Sequence, residues 1–320
     1  MGFATTLDQL QLAPYAYVLM DKTPKPDVLN RLTAAEENIL LHKGTEAPFS
    51  GEYNQHFANG IYICKQCNMP LYTSFAKFRS QCGWPSFDDE IESAVKHLAD
   101  PDGHRTEIVC ANCEGHLGHV FFGEQATAKN TRHCVNSLSI RFIPISELLA
   151  QAKQQQSRFG AALFAAGCFW GVEYHFARER GVLATQVGYS GGTTDDPSYE
   201  EVCTGNTGHA EALLVIFDKS KTDYAKLTKL FFNLHDPSQV DRQGPDIGNQ
   251  YRSVIFYYSD EQHRIAEELI ATLKQNNINV VTQIIPAPPF WPAEDYHQQY
   301  YQIKGGEPYC HSLTERFRQK

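Results

Sequence analysis

Two Cys-x-x-Cys pairs, Cys64-Lys65-Gln66-Cys67 and Cys110-Ala111-Asn112-Cys113, constrain this chain more than any other feature. Both lie beside short β-prone sequence, and together they offer the four thiolates that a structural Zn²⁺ takes in tetrahedral geometry. One such pair reads equally well as a redox dithiol; two in one half of a chain favour zinc. A site of four sulfurs has no open position, so the expectation is one structural Zn²⁺ per chain and no catalytic metal. The intervening segment 68–109 exceeds a zinc-ribbon spacing, which places each knuckle on its own hairpin or loop. Around them β-prone pieces at 61–63, 105–109, 120–122 and 138–142 alternate with Gly, Asn, Asp and Pro turns, the pattern of a mostly antiparallel β domain.

Beyond residue 145 the texture changes. Segment 145–157 is polar and low in β-branched residues, a helical or semi-rigid linker. The second half then alternates: strand 161–166, helix 169–179, strands 182–188 and 212–217, helix 223–234 and strand 252–258. A helix capped by Ser259 and Gln262 follows and runs to 275, and a last strand covers 280–285. The tail from 287, rich in Pro, Tyr, Gln and Gly, reads as mostly irregular. This is an α+β arrangement in two layers, helices on one face of a mixed sheet. At the other end, 1–25 is an irregular extension, and Thr33-Ala34-Ala35-Glu36 has the form of a capping box. The domain division is 1–25 extension, 26–147 zinc-bearing β domain, 148–159 linker and 160–320 α+β domain. A chain of 320 residues is long enough for each half to build its own core.

The formal net charge of −9 leaves no basic excess to neutralise nucleic-acid phosphates or an anionic membrane. No apolar run approaches a membrane span. Residues 1–8 lack the basic start of a signal peptide. Nine cysteines without such a signal point to a reducing, cytoplasmic setting.

Five cysteines remain once the knuckles are set aside. Cys168 follows an apolar run and Gly167 and opens a helical pattern. It therefore stands at a helix N-terminus, where unpaired amides favour a thiolate. Phe169 and Trp170 supply an apolar wall beside it. The alternative for Cys168 is a buried structural thiol. Cys134 has Arg132 and His133 beside it, cationic or hydrogen-bonding neighbours that lower a thiol pKa. His116 and His119 are either further zinc ligands, surface residues or proton donors; with four sulfurs available to zinc, the catalytic reading leads. Cys82, Cys203 and Cys310 complete the set.

Residues 44–142 resemble methionine sulfoxide reductase B. The matching pieces are Gly44-Thr45-Glu46, Pro48-Phe49-Ser50-Gly51, Cys64/Cys67, Gly83-Trp84-Pro85-Ser86-Phe87, Gly115-His116-Leu117-Gly118-His119-Val120-Phe121 and Arg132-His133-Cys134-Val135-Asn136-Ser137. Residues 160–311 resemble methionine sulfoxide reductase A. There the pieces are Gly167-Cys168-Phe169-Trp170-Gly171, Gly188-Tyr189-Ser190-Gly191-Gly192, Gly208-His209-Ala210-Glu211, His235-Asp236-Pro237, the run from Asp246 to Arg252, and that from Ala293 to Gln298. The resemblance covers about four-fifths of the chain.

It implies a bifunctional repair enzyme reducing both epimers of methionine sulfoxide, R in the first half and S in the second. Each half then attacks the sulfoxide with one cysteine, passes through a sulfenic acid and closes a disulfide with a second: Cys134 with Cys82, and Cys168 with Cys310. Cys203 is left over as a buried structural thiol. In the second half the resemblance places the proton donor at Glu211, oxygen-binding phenols at Tyr199 and Tyr251, the methyl pocket at Phe169 and Trp170, and a substrate-holding group at Asp246. Glu173, on the same proposed helix as Cys168, competes as the acid but reads as a helix-surface residue. In the first half, His116 and His119 surround the oxygen, Trp84 lies under the methyl group and Asn136 positions Cys134. The implied reductant is thioredoxin, with no organic cofactor. The competing readings are a zinc-stabilised binding module fused to a general thiol oxidoreductase or oxidant sensor, and a peroxide-reducing thiol enzyme.

Overall fold

The capping box at Thr33 forms as its four residues dictate. In the computed structural model, which describes residues 29–100 and 103–317, Thr33 Oγ1 accepts from the Glu36 amide and the Glu36 carboxylate accepts from the Thr33 amide. Helix α1 (Ala34–Leu40) starts there. The extension expected at 1–25 lies outside the described residues.

Nine strands follow in the first half: β1 (Gly60–Cys64), β2 (Pro70–Thr73), β3 (Lys77–Phe78), β4 (Ser86–Phe87), β5 (Val95–Ala99), β6 (Thr106–Cys110), β7 (His116–Phe122), β8 (Thr131–Val135) and β9 (Ile140–Pro144). They make a three-stranded sheet, β2-β1-β9, and a six-stranded sheet, β3-β4-β8-β7-β6-β5. Every described pairing in them is antiparallel, as the alternation of short strands and turns requires. Tyr62, Tyr72, Phe87, Ile108, Leu117 and Val135 fill the core, with Tyr72 stacked on Phe87 at 4.3 Å. One expectation is corrected. The strand expected over 138–142 begins later, because Ser137–Ser139 is a 3₁₀ turn whose first amides are held by the Glu46 carboxylate.

The second half comprises α2 (Ile145–Ala152), β10 (Phe159–Ala166), α3 (Phe169–Phe176), β11 (Val182–Ser190), α4 (Tyr199–Cys203), β12 (Ala210–Asp218), α5 (Tyr224–Leu234), β13 (Arg242–Gln243) and β14 (Asp246–Ile247). After these come β15 (Ser253–Tyr257), α6 (Asp260–Gln275), β16 (Gln283–Pro286), β17 (Phe290–Pro292) and α7 (Tyr300–Lys304). The mixed sheet runs β16-β15-β10-β12-β11-β17, parallel between β15 and β16 and antiparallel elsewhere. β17 belongs to the tail expected to be irregular; it pairs Trp291 with Tyr189 and covers the β11 edge.

The unbroken apolar run of β10 is explained by burial on both faces. Ala162, Phe164 and Ala166 meet the helices through Val172, Phe176, Leu227, Phe231 and Leu269. Ala161, Leu163 and Ala165 face the other way, where the two-layer expectation left open sheet. That face is covered by Leu148 of α2 with Ile61 and Ile63 of β1 and Ile143 of β9. The halves therefore share an apolar layer instead of each closing a separate core, and the first part of the expected 148–159 linker, through Ala152, is a packed helix. Each of these aliphatic side chains contributes about 1.5–3 kcal/mol by leaving water. Polar ties reinforce the junction: Asn59 exchanges hydrogen bonds with Gln298 and Gln299, and Glu92 pairs with Arg180 at 2.8 Å. No helix among the described residues is long and apolar enough to cross a membrane.

Candidate active sites and a four-sulfur cluster

Strand β8 delivers Cys134 between β4 and β7, opposite Ser86 on one side and His119 on the other. The approach of β7 depends on Gly118, because a Cβ there would lie 2.0 Å from the Cys134 carbonyl oxygen. Cys82 Sγ stands 3.8 Å from Cys134 Sγ, and both thiols are free. Closing a bond of about 2.05 Å needs only a small shift of the Cys82 loop. Cys82 is pushed down to about 4 because Cys134, and then Ser80 and Ser86, hydrogen-bond it against the opposing effect of burial. The same neighbour, with burial, pushes Cys134 up. This corrects the expectation that Arg132 and His133 make Cys134 the acidic thiol. Arg132 does act downward but is committed to Glu124 at 2.6 Å, and the pull from Cys82 outweighs it. His133 points to the other face of β8, where its Nε2 is 3.0 Å from Glu90.

His116 and His119 approach each other with ring centroids 5.6 Å apart. His116 Nδ1 donates to Glu107 Oε1 at 2.8 Å, which leaves Nε2 buried and unpartnered; burial lowers its pKa and keeps the ring neutral. His119 Nε2 is 2.7 Å from Asp100 Oδ2. Trp84 Nε1 donates to the Glu46 carbonyl oxygen at 3.1 Å, and Asn136 Oδ1 accepts from the Glu46 amide at 3.2 Å. Glu46 thus ties Trp84, Asn136 and the 3₁₀ turn together. Sequence reasoning quoted it only as part of a motif, and nothing local marked it as the tie.

The four knuckle cysteines converge at the ends of β1 and β6. Cys64 and Cys113 are 3.6 Å apart, as are Cys67 and Cys110, and all four sulfurs lie within 4.8 Å of one another. A Zn–S bond of about 2.3 Å gives tetrahedron edges of about 3.8 Å, so the mutual spacing of all four sulfurs fits Zn²⁺. Matching turns shape both knuckles: the Asn68 amide bonds to Cys64 O and the Glu114 amide to Cys110 O, each at 2.9 Å. His116 and His119 stand outside this group.

In the second half Gly167, at φ 91°, turns the chain from β10 into α3, and Cys168 is the N-cap of that helix, 8% exposed. Its thiol is pushed up, first by the thiol of Cys310 and then by burial; the amides of Trp170 and Gly171 act downward but do not prevail. The lowered pKa expected at a helix N-terminus is therefore not the state of this thiol while Cys310 lies against it. Glu211, on β12, accepts from the Phe169 amide at 2.9 Å. It is buried, and burial followed by the proximity of Cys168 holds its carboxyl well above the ordinary range, which favours the protonated form. Burial and the nearby Glu211 also raise Tyr199 and Tyr251. Phe169 packs 5.1 Å from His297, and Trp170 stacks on Tyr300 at 3.9 Å while donating to His297 Nδ1 at 3.0 Å. Asp246, raised by burial, keeps one buried oxygen without a partner.

Three residues read differently in three dimensions. Glu173 is no surface residue: it is buried, accepts from Thr185 Oγ1 at 2.9 Å and the Gln299 amide at 2.7 Å, and is pushed up to about 7 by burial. Cys203 is exposed on α4, within hydrogen-bonding reach of Tyr199. Glu294, unremarked as a site residue, accepts from Tyr189 Oη and the Tyr199 amide, each at 2.9 Å, and so sets that wall of the pocket.

Residues 160–320 match the family model of peptide methionine sulfoxide reductase, and residues 32–144 match the SelR domain. The chain belongs to the peptide methionine sulfoxide reductase family. Similar proteins include the peptide methionine sulfoxide reductase MsrA of Acinetobacter baumannii strain AYE, 51% identical over 47% of this chain and 86% of that one. Another is that of Methanosarcina mazei, 56% identical over 45% of this chain and 70% of the other. Among solved structures, reduced Mxr1 from Saccharomyces cerevisiae matches with TM-score 0.45 and 36% identity, covering 49% of this chain and 92% of its own. Methionine sulfoxide reductase A of Corynebacterium diphtheriae matches with TM-score 0.44 and 34% identity, covering 48% and 80%. The reductase has a B-type half followed by an A-type half, and its reaction is thiol-dependent reduction of both methionine sulfoxide epimers.

Proposed function

We propose that Cys134 and Cys168 are the attacking thiols, with Cys82 and Cys310 resolving them, in functional units 26–147 and 160–320 bridged by 148–159. The observation that carries this reading is that each half brings two free sulfurs together, Cys82 with Cys134 at 3.8 Å and Cys168 with Cys310, the latter pair beside the buried Glu211 carboxyl. In the A-type site, Cys168 attacks the sulfoxide sulfur and Glu211, held neutral by burial, protonates the departing oxygen. Tyr199 and Tyr251 hydrogen-bond that oxygen, Asp246 holds the substrate, and Phe169 and Trp170 enclose the methyl group. The Cys168 sulfenic acid then becomes a disulfide with Cys310 and water is released. In the B-type site Cys134 attacks the sulfoxide sulfur. His116 and His119 line the oxygen side of the site, Trp84 receives the methyl group, and Asn136 positions Cys134.

Cys64, Cys67, Cys110 and Cys113 would hold one structural Zn²⁺, which supplies a cross-link between the ends of β1 and β6. The reductant is a dithiol protein of thioredoxin type. Its support is the family resemblance and the half-exposed Cys310 beside Tyr309, which is 71% exposed. Nine free cysteines suit a cytoplasmic setting.

The test is reduction of the separate R and S epimers by wild type, Cys134→Ser and Cys168→Ser. Cys134→Ser should abolish R turnover and spare S, and Cys168→Ser the reverse. Loss of both activities from either change would refute two independent sites.

A further inference from the structure

The residue after Cys310 has no part in the mechanism so far, yet it is among the most deliberately seated side chains of the site. His311 is buried, with Nε2 2.8 Å from the Ala166 carbonyl oxygen and Nδ1 3.0 Å from Cys310 Sγ. A carbonyl oxygen only accepts, so Nε2 carries the ring proton. Burial disfavours a second one. Nδ1 therefore presents a bare lone pair, and the Cys310 thiol donates to it.

The seat itself is cut into the Gly-Cys-Phe-Trp-Gly motif. A Cβ at Gly171 would lie 2.3 Å from His311 Nδ1, and one at Gly167 would lie 3.5 Å from Nε2. Gly167 is needed for its turn, but Gly171 sits in α3, where glycine costs about 1 kcal/mol against alanine. The imidazole is the reason that helix tolerates it.

We propose that His311 is the general base of the resolving step, taking the Cys310 thiol proton on Nδ1 as that sulfur attacks the sulfenic sulfur of Cys168. The inference rests on the assignment of Cys168 and Cys310 made above. As the S–S bond forms, the S–O bond of Cys168 breaks. The departing hydroxide leaves as water with the proton the imidazolium gives back, so thiol and sulfenic acid become disulfide and water. Three titratable groups face the ring: Asp246 on β14, which favours its protonation, and His175 on α3 and His235 after α5, which oppose it. Both of those histidines have pKa values lowered by burial, so neither competes for the proton at neutral pH.

The experiment is a single turnover of the S epimer by the full chain, wild type against His311→Asn. It follows methionine release, the Cys168 sulfenic acid trapped with a cyclic 1,3-diketone, and the disulfide by mass. An unassisted thiol of pKa ~8.5 is about 3% ionised at pH 7, so the variant should release methionine but close its disulfide about 30-fold more slowly, with sulfenic acid accumulating. At pH 9.5, where that thiol ionises unaided, the deficit should shrink to about twofold or less. Gly171→Ala, which displaces the ring and keeps it in the chain, should show the same lag at pH 7 and the same recovery. A disulfide step of wild-type speed at pH 7 would overturn the proposal. So would one equally slow at both pH values, because a ring that only anchors the tail is not replaced by hydroxide. In Cys310→Ser the sulfenic acid should persist at every pH; a Cys168 disulfide formed there would overturn the resolver assignment instead.

Discussion

Glu173→Gln isolates the energetic consequence of a buried carboxyl on which the pocket leans. Its two oxygens accept from Thr185 Oγ1 and the Gln299 amide, tying α3 to the chain segment that carries His297 and Tyr300 against Trp170. Burial raises its pKa from an ordinary 4.5 to about 7. Below pH 4.5 the carboxyl is neutral folded and unfolded, so it adds no pH dependence. Between 4.5 and 7 the unfolded chain releases the proton while the folded one keeps it, and stability falls by about 1.4 kcal/mol per pH unit. Above 7 the loss levels off at about 3 kcal/mol, a large share of a typical 5–15 kcal/mol total. Glutamine keeps an acceptor for the Gln299 amide and cannot ionise. The variant should therefore match wild type near pH 4.5 and exceed it by about 3 kcal/mol at pH 8. Urea unfolding of both proteins at the two pH values, followed by tryptophan fluorescence, gives this as a double difference in which other titrating groups cancel. A double difference below about 0.5 kcal/mol would show that Glu173 is ionised in the folded protein and would refute the burial argument.

Glu211→Gln should lower S-epimer turnover about 100-fold or more and leave R-epimer turnover unchanged, since a positioned acid contributes 10²–10⁴; more than a tenth of the S activity remaining would remove Glu211 as the donor. For the same reason wild-type S-epimer turnover should decline as pH rises through the raised Glu211 pKa, on the alkaline side, where the donor loses its proton. Elemental analysis of protein never exposed to chelator should find about one zinc per chain, and Cys67→Ala should lower the unfolding midpoint of the B-type half; a zinc-free, fully stable sample would contradict the site. Glu46→Ala removes a carboxylate that accepts two amides, so it should cost about 1.5–3 kcal/mol and weaken R-epimer turnover alone, measured by urea unfolding and initial rates.

What the sequence made legible follows the range of the forces involved. The Thr33 capping box, the Ser259 cap and the existence of strand β10 were readable because their partners lie within a few residues or an unbroken apolar run states the element. The four-sulfur set was readable from spacing. The failures all involve distant partners. The strand expected over 138–142 starts only at Ile140 because Glu46, 91 residues earlier, holds the Ser137 amide in a 3₁₀ turn. Glu173 read as surface because nothing on its own helix announces Gln299, 126 residues on, and α3 is too short for its pattern to tell. The thiol pKa at Cys168 went the other way because Cys310 acts from the far end of the chain. The uncovered sheet face was misread for the same reason: its cover comes from α2 and from strands of the other half.

The two sites meet one chemical demand with different mechanical solutions, and the difference has a consequence for resolution. In the B-type half both sulfurs belong to one sheet and its adjoining loop, fixed 3.8 Å apart by cross-strand neighbours, so the disulfide needs no large displacement. In the A-type half Cys168 is fixed on a helix, but Cys310 rides on a tail that turns through Gly305 and Gly306 at φ 78° and 91°. An unanchored tail would lose conformational entropy each time it closed, about 1–2 kcal/mol per residue ordered. The His311 seat and the Arg316 guanidinium, which donates to the Phe232 and His235 carbonyl oxygens, meet that cost during folding, before any substrate arrives. The A-type site therefore pre-orders in its tail what the B-type site obtains from its sheet, and Gly171 is the position in the attacking motif where that arrangement leaves its mark.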